Sequence, residues 1–194
     1  MKMTEGPVYI AFYKPYGVLS QFTPEAGHKS LGEFGFPKNV YPVGRLDHDS
    51  EGLLLLSNDK TLTKRLLDPL NAHPRTYLAQ VEGVPTKQAL ELLRRGVRVQ
   101  NYRTKPCKAS VLEHEPALEP RTPPIRYRKN IPAAWMKLIL TEGKNRQVRR
   151  MTAAVGFPTL RLVRVAINAF PLDPLKPGQW RFIDKTDIFS GDSR

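Results

Sequence analysis

Four consecutive leucines, Leu53 to Leu56, follow the segment Gly44-Arg45-Leu46-Asp47-His48-Asp49-Ser50-Glu51-Gly52. A run this apolar belongs in a buried strand. The glycines at either end of the acidic stretch permit a sharp turn, so Asp47 is expected on a turn braced by the core. A carboxylate held in that way is either a structural turn acid, bonded to nearby backbone, or a nucleophile or base. The segment alone leaves both readings open.

The chain around this acid is basic. It carries 31 Lys and Arg against 18 Asp and Glu, a formal net charge of +13. That balance favours a polyanion such as nucleic acid, bound with strong salt dependence. An anionic membrane would suit the charge equally, but no apolar stretch approaches the roughly 18 residues a span needs. No basic, then apolar, then small-residue signal opens the chain, and a cytoplasmic location is expected. Cys107 is the only cysteine, which excludes an internal disulfide, and the four histidines lack metal-ligand spacing. No structural metal is expected.

The length of 194 residues, 40% of them hydrophobic, suits one domain or two small lobes sharing a core. Alternation predicts strands over 8–13, 76–81, 106–113, 133–141 and 159–167. The first ends at the turn Lys14-Pro15-Tyr16-Gly17. Helices are predicted over 59–68, capped by Ser57-Asn58, over 88–95, stopped by Gly96, and over 145–155, stopped by Gly156 and Pro158. The irregular mixing of the two implies an α+β fold around a mixed, largely antiparallel sheet rather than a doubly wound parallel one. Residues 116–132 hold five prolines with Arg121, Arg126, Arg128 and Lys129, a loop that is either a solvated insertion or an RNA-facing arm. Residues 184–194 read as a loose tail.

Three constellations could carry chemistry. Asp47-x-Asp49-x-Glu51-Gly52 echoes a calcium loop, but its twelfth position is Asn58 and four leucines replace the hydrated second half, which removes the calcium reading. Helical spacing in Glu142-Gly143-Lys144-Asn145-Arg146-Gln147-Val148-Arg149-Arg150-Met151 puts Arg146, Arg149 and Arg150 on one face. No acid occurs from Gly143 to Leu172, so this cluster calls for phosphates or a carboxylate such as Asp47. Tyr77, in Arg75-Thr76-Tyr77-Leu78, is either a core aromatic or a ring that stacks on an extruded base, with its phenol in reach of a proton.

In order and spacing these segments resemble the type A group of ribosomal small-subunit pseudouridine synthases, from about Val8 to Arg181. Lys14-Pro15-Tyr16-Gly17 and Gly156-Phe157-Pro158-Thr159-Leu160-Arg161-Leu162 match as well. Many of that group begin with a small S4-type RNA-binding domain, for which there is no room before Val8, so the large-subunit type E subgroup is the nearest likeness. Arg75, where many relatives have lysine, is a charge-preserving departure. The resemblance implies two lobes with a central active-site cleft, a catalytic domain over 7–183, no cofactor, and ribosomal RNA, 23S in particular, as the partner of a monomeric enzyme.

It also implies roles. Asp47 becomes the catalytic carboxylate, acting on the ribose C1′ or the uracil C6 or assisting a glycal route. Arg149 becomes its salt-bridge partner, with Arg150 second, and Tyr77 the stacking ring that takes part in removing the C5 proton. Arg45 would fill the space left in the RNA or hold the flipped phosphate, while Lys14, Lys144 and Arg146 would bind backbone phosphate and Arg150 would also contact the RNA. The rival class is a non-catalytic rRNA-binding or ribosome-assembly factor, which would explain the charge but not a framed acid matched to a distant Tyr and Arg. A methyltransferase is weaker still, since no Gly-rich loop follows a strand.

Overall fold

A computed structural model describes residues 6–25, 27–125 and 131–190. Within them one sheet gathers nine strands: β1 (Tyr9–Lys14), β2 (Tyr41–Pro42), β3 (Glu51–Ser57), β4 (Arg75–Glu82), β5 (Lys108–Val111), β6 (Ala133–Leu140), β7 (Thr159–Ile167), β8 (Phe170–Pro171) and β9 (Trp180–Phe182). Their spatial order is β9-β1-β3-β7-β4-β6-β5, with β2 beside β3 and β8 beside β7. Every neighbouring pair is antiparallel except β3 with β7. Four helices pack on this sheet: α1 (Lys60–Leu67), α2 (Lys87–Arg95), α3 (Gln147–Ala154) and α4 (Lys185–Phe189). The α+β class and the mixed, largely antiparallel sheet are as the sequence implies.

The leucine run explains the left half of the sheet. All seven residues of β3 are buried, and the two-residue period of a strand divides them between two cores. Leu54 and Leu56 pack with Ile10, Phe12, Val18 and Leu31 on one side. Leu53 and Leu55 pack with Tyr13, Leu62, Val163 and Ile188 on the other. At about 1.5–3 kcal/mol for each fully buried leucine, this strand anchors whatever precedes it, and the Asp47 turn precedes it directly. The right half has its own core, in which α2 and α3 supply Leu93, Val148 and Met151 against Ala79, Met136 and Leu138.

Gly52 joins the halves. Its φ is +106°, and a Cβ there would lie 2.3 Å from the Arg164 carbonyl oxygen, so only glycine lets β3 and β7 approach at their parallel joint. Because β4 is the next strand over, this joint brings the Asp47 turn toward Tyr77.

Some boundaries differ from expectation. Asp59, rather than Ser57-Asn58, caps α1: its Oδ1 accepts from Thr61 N at 2.8 Å and Leu62 N at 3.2 Å. Asn58 is drawn away by Val8 N, 2.7 Å from its Oδ1. The 106–113 strand is shortened to β5, and α3 begins at Gln147. Residues 184–194 are not wholly a loose tail, since α4 buries Ile188 completely and Lys185 Nζ lies 2.9 Å from Asp59 Oδ2. Residues 191–194 lie outside the described residues. In the proline-rich loop, Glu119 O accepts from Arg161 Nη2 at 2.8 Å and the Arg121 guanidinium sits 4.2 Å over the Tyr16 ring. Arg126, Arg128 and Lys129 lie outside the described residues. Among the described residues, no helix is long and apolar enough to cross a membrane.

Candidate active site

A cavity of about 970 Å³ opens beside the Asp47 turn, with Arg45, Asp47, Tyr77, Lys144 and Arg146 in its walls. Five of the sequence-selected residues therefore meet in one place. The turn is held from several sides. Ser20 Oγ clamps Leu46, donating to its carbonyl at 2.7 Å and accepting from its N–H at 3.0 Å, and Ser50 N donates to Asp47 O at 3.0 Å. The Asp47 carboxylate is left 30% exposed toward the cavity, its Oδ2 3.9 Å from Arg146 Nη1.

Arg146 is the residue that the resemblance placed on phosphate, and the fold gives it a second task. It sits just before α3 with φ +51°, a left-handed conformation that costs a non-glycine residue energy and marks a constrained position. From there its fork binds both oxygens of Asp49, at 2.9 and 2.8 Å. Burial pushes the Asp49 carboxyl up, but the Arg146 hydrogen bonds and the charges of Arg149 and Arg146 outweigh it, so it is held below the usual carboxylate range. Arg146 shifts upward, chiefly through that same bond to Asp49.

Arg149 requires a correction. It does not pair with Asp47: its Nη2 donates to the Asp49 carbonyl at 2.6 Å, its Nη1 to Thr159 O at 3.2 Å, and its Nε stands 3.4 Å from Asp49 Oδ2. Of the three arginines expected on one face, Arg146 and Arg149 do meet at a single acid, but it is Asp49, which lies deeper than Asp47 on the turn. Arg149 thus braces the turn from behind. Arg150 donates to Asn145 Oδ1 at 2.9 Å and does not reach Asp47 either.

Lys14 requires the second. It is 0% exposed, so it cannot bind RNA phosphate. Its Nζ lies 2.9 Å from Pro15 O, 2.7 Å from Val18 O and 3.4 Å from His48 O, tying the end of β1 to the residue after Asp47. Burial lowers its pKa to about 7, against the pull of Glu51, Asp49 and Asp47. A lysine closing an otherwise apolar strand was the available signal that it faces inward.

The acids of Asp47-x-Asp49-x-Glu51 also have a use that the sequence reading missed. Asp49 takes Arg146 and Arg149, and Glu51 takes Arg161 through bonds of 2.9 and 2.8 Å. Three of the cations between 143 and 172, Arg146, Arg149 and Arg161, are thus answered by acids about a hundred residues away. Arg164 and Arg75 went unassigned, yet both line the cavity. The signal for the first was an arginine inside the apolar run Leu162-Val163-Arg164-Val165.

A profile described as RNA pseudouridylate synthase matches residues 8–154. The chain belongs to the RNA pseudouridylate synthase family. Two relatives named ribosomal large subunit pseudouridine synthase E extend the match. The Xanthomonas campestris pv. campestris protein is 56% identical over 173 residues, 88% of this chain and 92% of that one. The Vibrio parahaemolyticus protein is 49% identical over 174 residues, 90% of this chain and 73% of that one. A crystal structure of a pseudouridylate synthase superposes with a TM-score of 0.78 at 24% identity, covering 97% of this chain and 75% of that one, which establishes the pseudouridine synthase fold. This synthase is accordingly an isomerase that converts uridine to pseudouridine in RNA.

Proposed function

We propose that this synthase modifies a uridine of large-subunit ribosomal RNA, working as a monomer in the cytoplasm, with Asp47 as its catalytic carboxylate. The observation that carries this is the meeting of Asp47 and Tyr77 in one cation-lined cavity. The substrate class follows the names of the relatives in Xanthomonas and Vibrio. The isomerisation breaks N1–C1′ and forms C5–C1′ with no net redox change. A uridine in folded RNA must first leave its stack, at a cost of a few kcal/mol, which stacking on Tyr77 offsets in part.

Asp47 then acts on the ribose as the glycosidic bond breaks. Its exposed position leaves the carboxylate open to substrate, while Arg146 aims it. Arg149 is a positioning residue, fixing the Asp49 backbone and so the turn. Lys144, whose ammonium lies 3.6 Å from the Tyr102 ring centroid, and Arg45 bind the RNA backbone at the rim.

The test is incubation of the protein with unmodified large- and small-subunit rRNA transcripts, followed by mapping of pseudouridine. Product in the large-subunit transcript alone is expected. Asp47→Asn should abolish product while RNA binding survives, and retained turnover would remove Asp47 from this role. Tyr77→Phe should keep RNA binding that Tyr77→Ala loses, and equal loss in both would rule out stacking.

A further inference from the structure

The floor of the cavity carries two guanidinium groups with no acid partner among the described residues. Arg164 stands directly across from Tyr77 in the β7–β4 ladder, and Arg75 precedes Tyr77 by two residues in β4. Directly opposite and alternate residues share a face, so all three side chains leave the sheet on the same side. Arg164 is only 4% exposed. Its Nε donates to Leu53 O at 2.8 Å, and its Nη2 is buried without a partner. Arg75 donates only to carbonyls, His73 O at 3.3 Å and Leu66 O at 2.8 Å. Burial lowers its pKa, Tyr77 opposing and Arg164 reinforcing the shift.

Buried guanidiniums elsewhere in this protein are paired with carboxylates, as Arg161 is with Glu51. That is the usual compensation for their desolvation. Here the carboxylates that line the cavity are otherwise engaged. Asp47 faces Arg146, Asp68 accepts from Leu70 N, and Glu142 accepts from Lys105 N and the Gln147 amide. The floor is thus a fixed positive region whose counter-charge the described residues do not supply.

The reaction supplies one. As N1–C1′ breaks, its electron pair departs with N1 and spreads onto O2 and O4 of the uracil. The base turns, C5 bonds to C1′, the C5 proton passes to a base, and N1 takes up a proton, with nothing oxidised or reduced. The negative charge exists only between cleavage and proton uptake. We propose that Arg164 and Arg75 form an anion-stabilising floor for the detached uracil, an inference that rests on the flipped uridine occupying the cavity of Asp47 and Tyr77. Preorganised cations of this kind favour the transition state over the bound ground state, and so act on turnover rather than on affinity.

The experiment compares wild type, Arg75→Gln and Arg164→Lys under single turnover with saturating enzyme, on RNA carrying uridine or 5-fluorouridine at the mapped site. Fluorine makes the departing anion less basic, so its cleavage needs the floor less. For Arg75→Gln the rate on uridine should fall roughly a hundredfold or more, with a smaller loss of glycosidic cleavage on 5-fluorouridine and unchanged RNA affinity. Arg164→Lys, which keeps the charge but not the fork, should show the same pattern at smaller size. Should Arg164→Lys not fold, Arg75→Gln decides alone, since its side chain bonds only to two backbone carbonyls, one at the end of α1 and one in the loop before β4. Equal losses on the two substrates, a loss confined to RNA affinity, or no loss would each overturn the proposal. A wild type that forms no pseudouridine would instead overturn the assignment of substrate.

Discussion

Asp47, on the turn, and Glu51, the first residue of β3, lie four residues apart, carry the same chemical group, and end in opposite situations. Glu51 is sealed: its side chain is 3% exposed, and both oxygens are taken by the Arg161 fork. Asp47 is open at 30%, with one arginine nitrogen no nearer than 3.9 Å. A carboxylate buried in a two-pronged ion pair is closed to a substrate, whereas a loosely held one at a cavity wall stays accessible. Asp49, between them in sequence, is intermediate, sharing two arginines that hold the turn in place. Exposure of these acids thus falls from 30% through 19% to 3% over five residues, as the turn runs into β3.

The contrast can be broken from either end. The largest effect expected is at the open end, where Asp47→Asn should cost turnover on the order of 10⁴-fold or more while shifting stability by less than about 0.5 kcal/mol. Urea unfolding beside single-turnover rates checks both, and a large stability loss would make Asp47 structural after all. At the sealed end Glu51→Gln should do the reverse, costing about 3–5 kcal/mol by stranding Arg161 while the folded fraction keeps its rate. An unchanged urea midpoint would show that the buried pair contributes nothing.

Lys14 sharpens the comparison through pH. Its folded pKa of about 7 lies below the ordinary lysine value of about 10.4. Between those limits the unfolded chain holds a proton that the folded one has lost, so this residue makes stability rise with pH across the window. Below about pH 7 the penalty is present in full, and above the ordinary value it is gone. Lys14→Met should flatten the rise in the difference between the two stability profiles, and identical slopes would refute the shift. The smallest effect belongs to the cavity rim: Lys144→Ala should reduce the logarithmic salt slope of RNA affinity by about one unit, and an unchanged slope would take Lys144 off the RNA.

Much of this was legible in sequence because it is local. The leucine run, the framing glycines, the strand over Thr159–Ile167 and the helix stopped by Gly96 all depend on short-range periodicity and turn chemistry, and each stands where it was expected. What escaped was pairing between distant charges. Helical spacing cannot tell whether Arg149 meets Asp47 or Asp49, since that depends on how deeply the turn sits against α3. Nor could the end of β1 reveal that Lys14 reaches His48 on the distant Asp47 turn, or β7 that Arg164 lies beside Tyr77, which follows from strand register across the sheet. The α1 cap was misplaced for a related reason, Asn58 being claimed by Val8, fifty residues earlier.

The braces of the turn come late in the chain. Asp49 reaches Arg146 across 97 positions and Arg149 across 100, Glu51 reaches Arg161 across 110, and β1 takes its outer neighbour from Phe182, Arg181 and Trp180. During synthesis the Asp47 turn is therefore made about a hundred residues before its clamps. A nascent chain that has passed Asp49 but not reached Arg146 holds the acids of the turn without the arginines that fix them. The turn takes its braced form only once Arg161 of β7 has been added, so the order of its assembly is written into the topology.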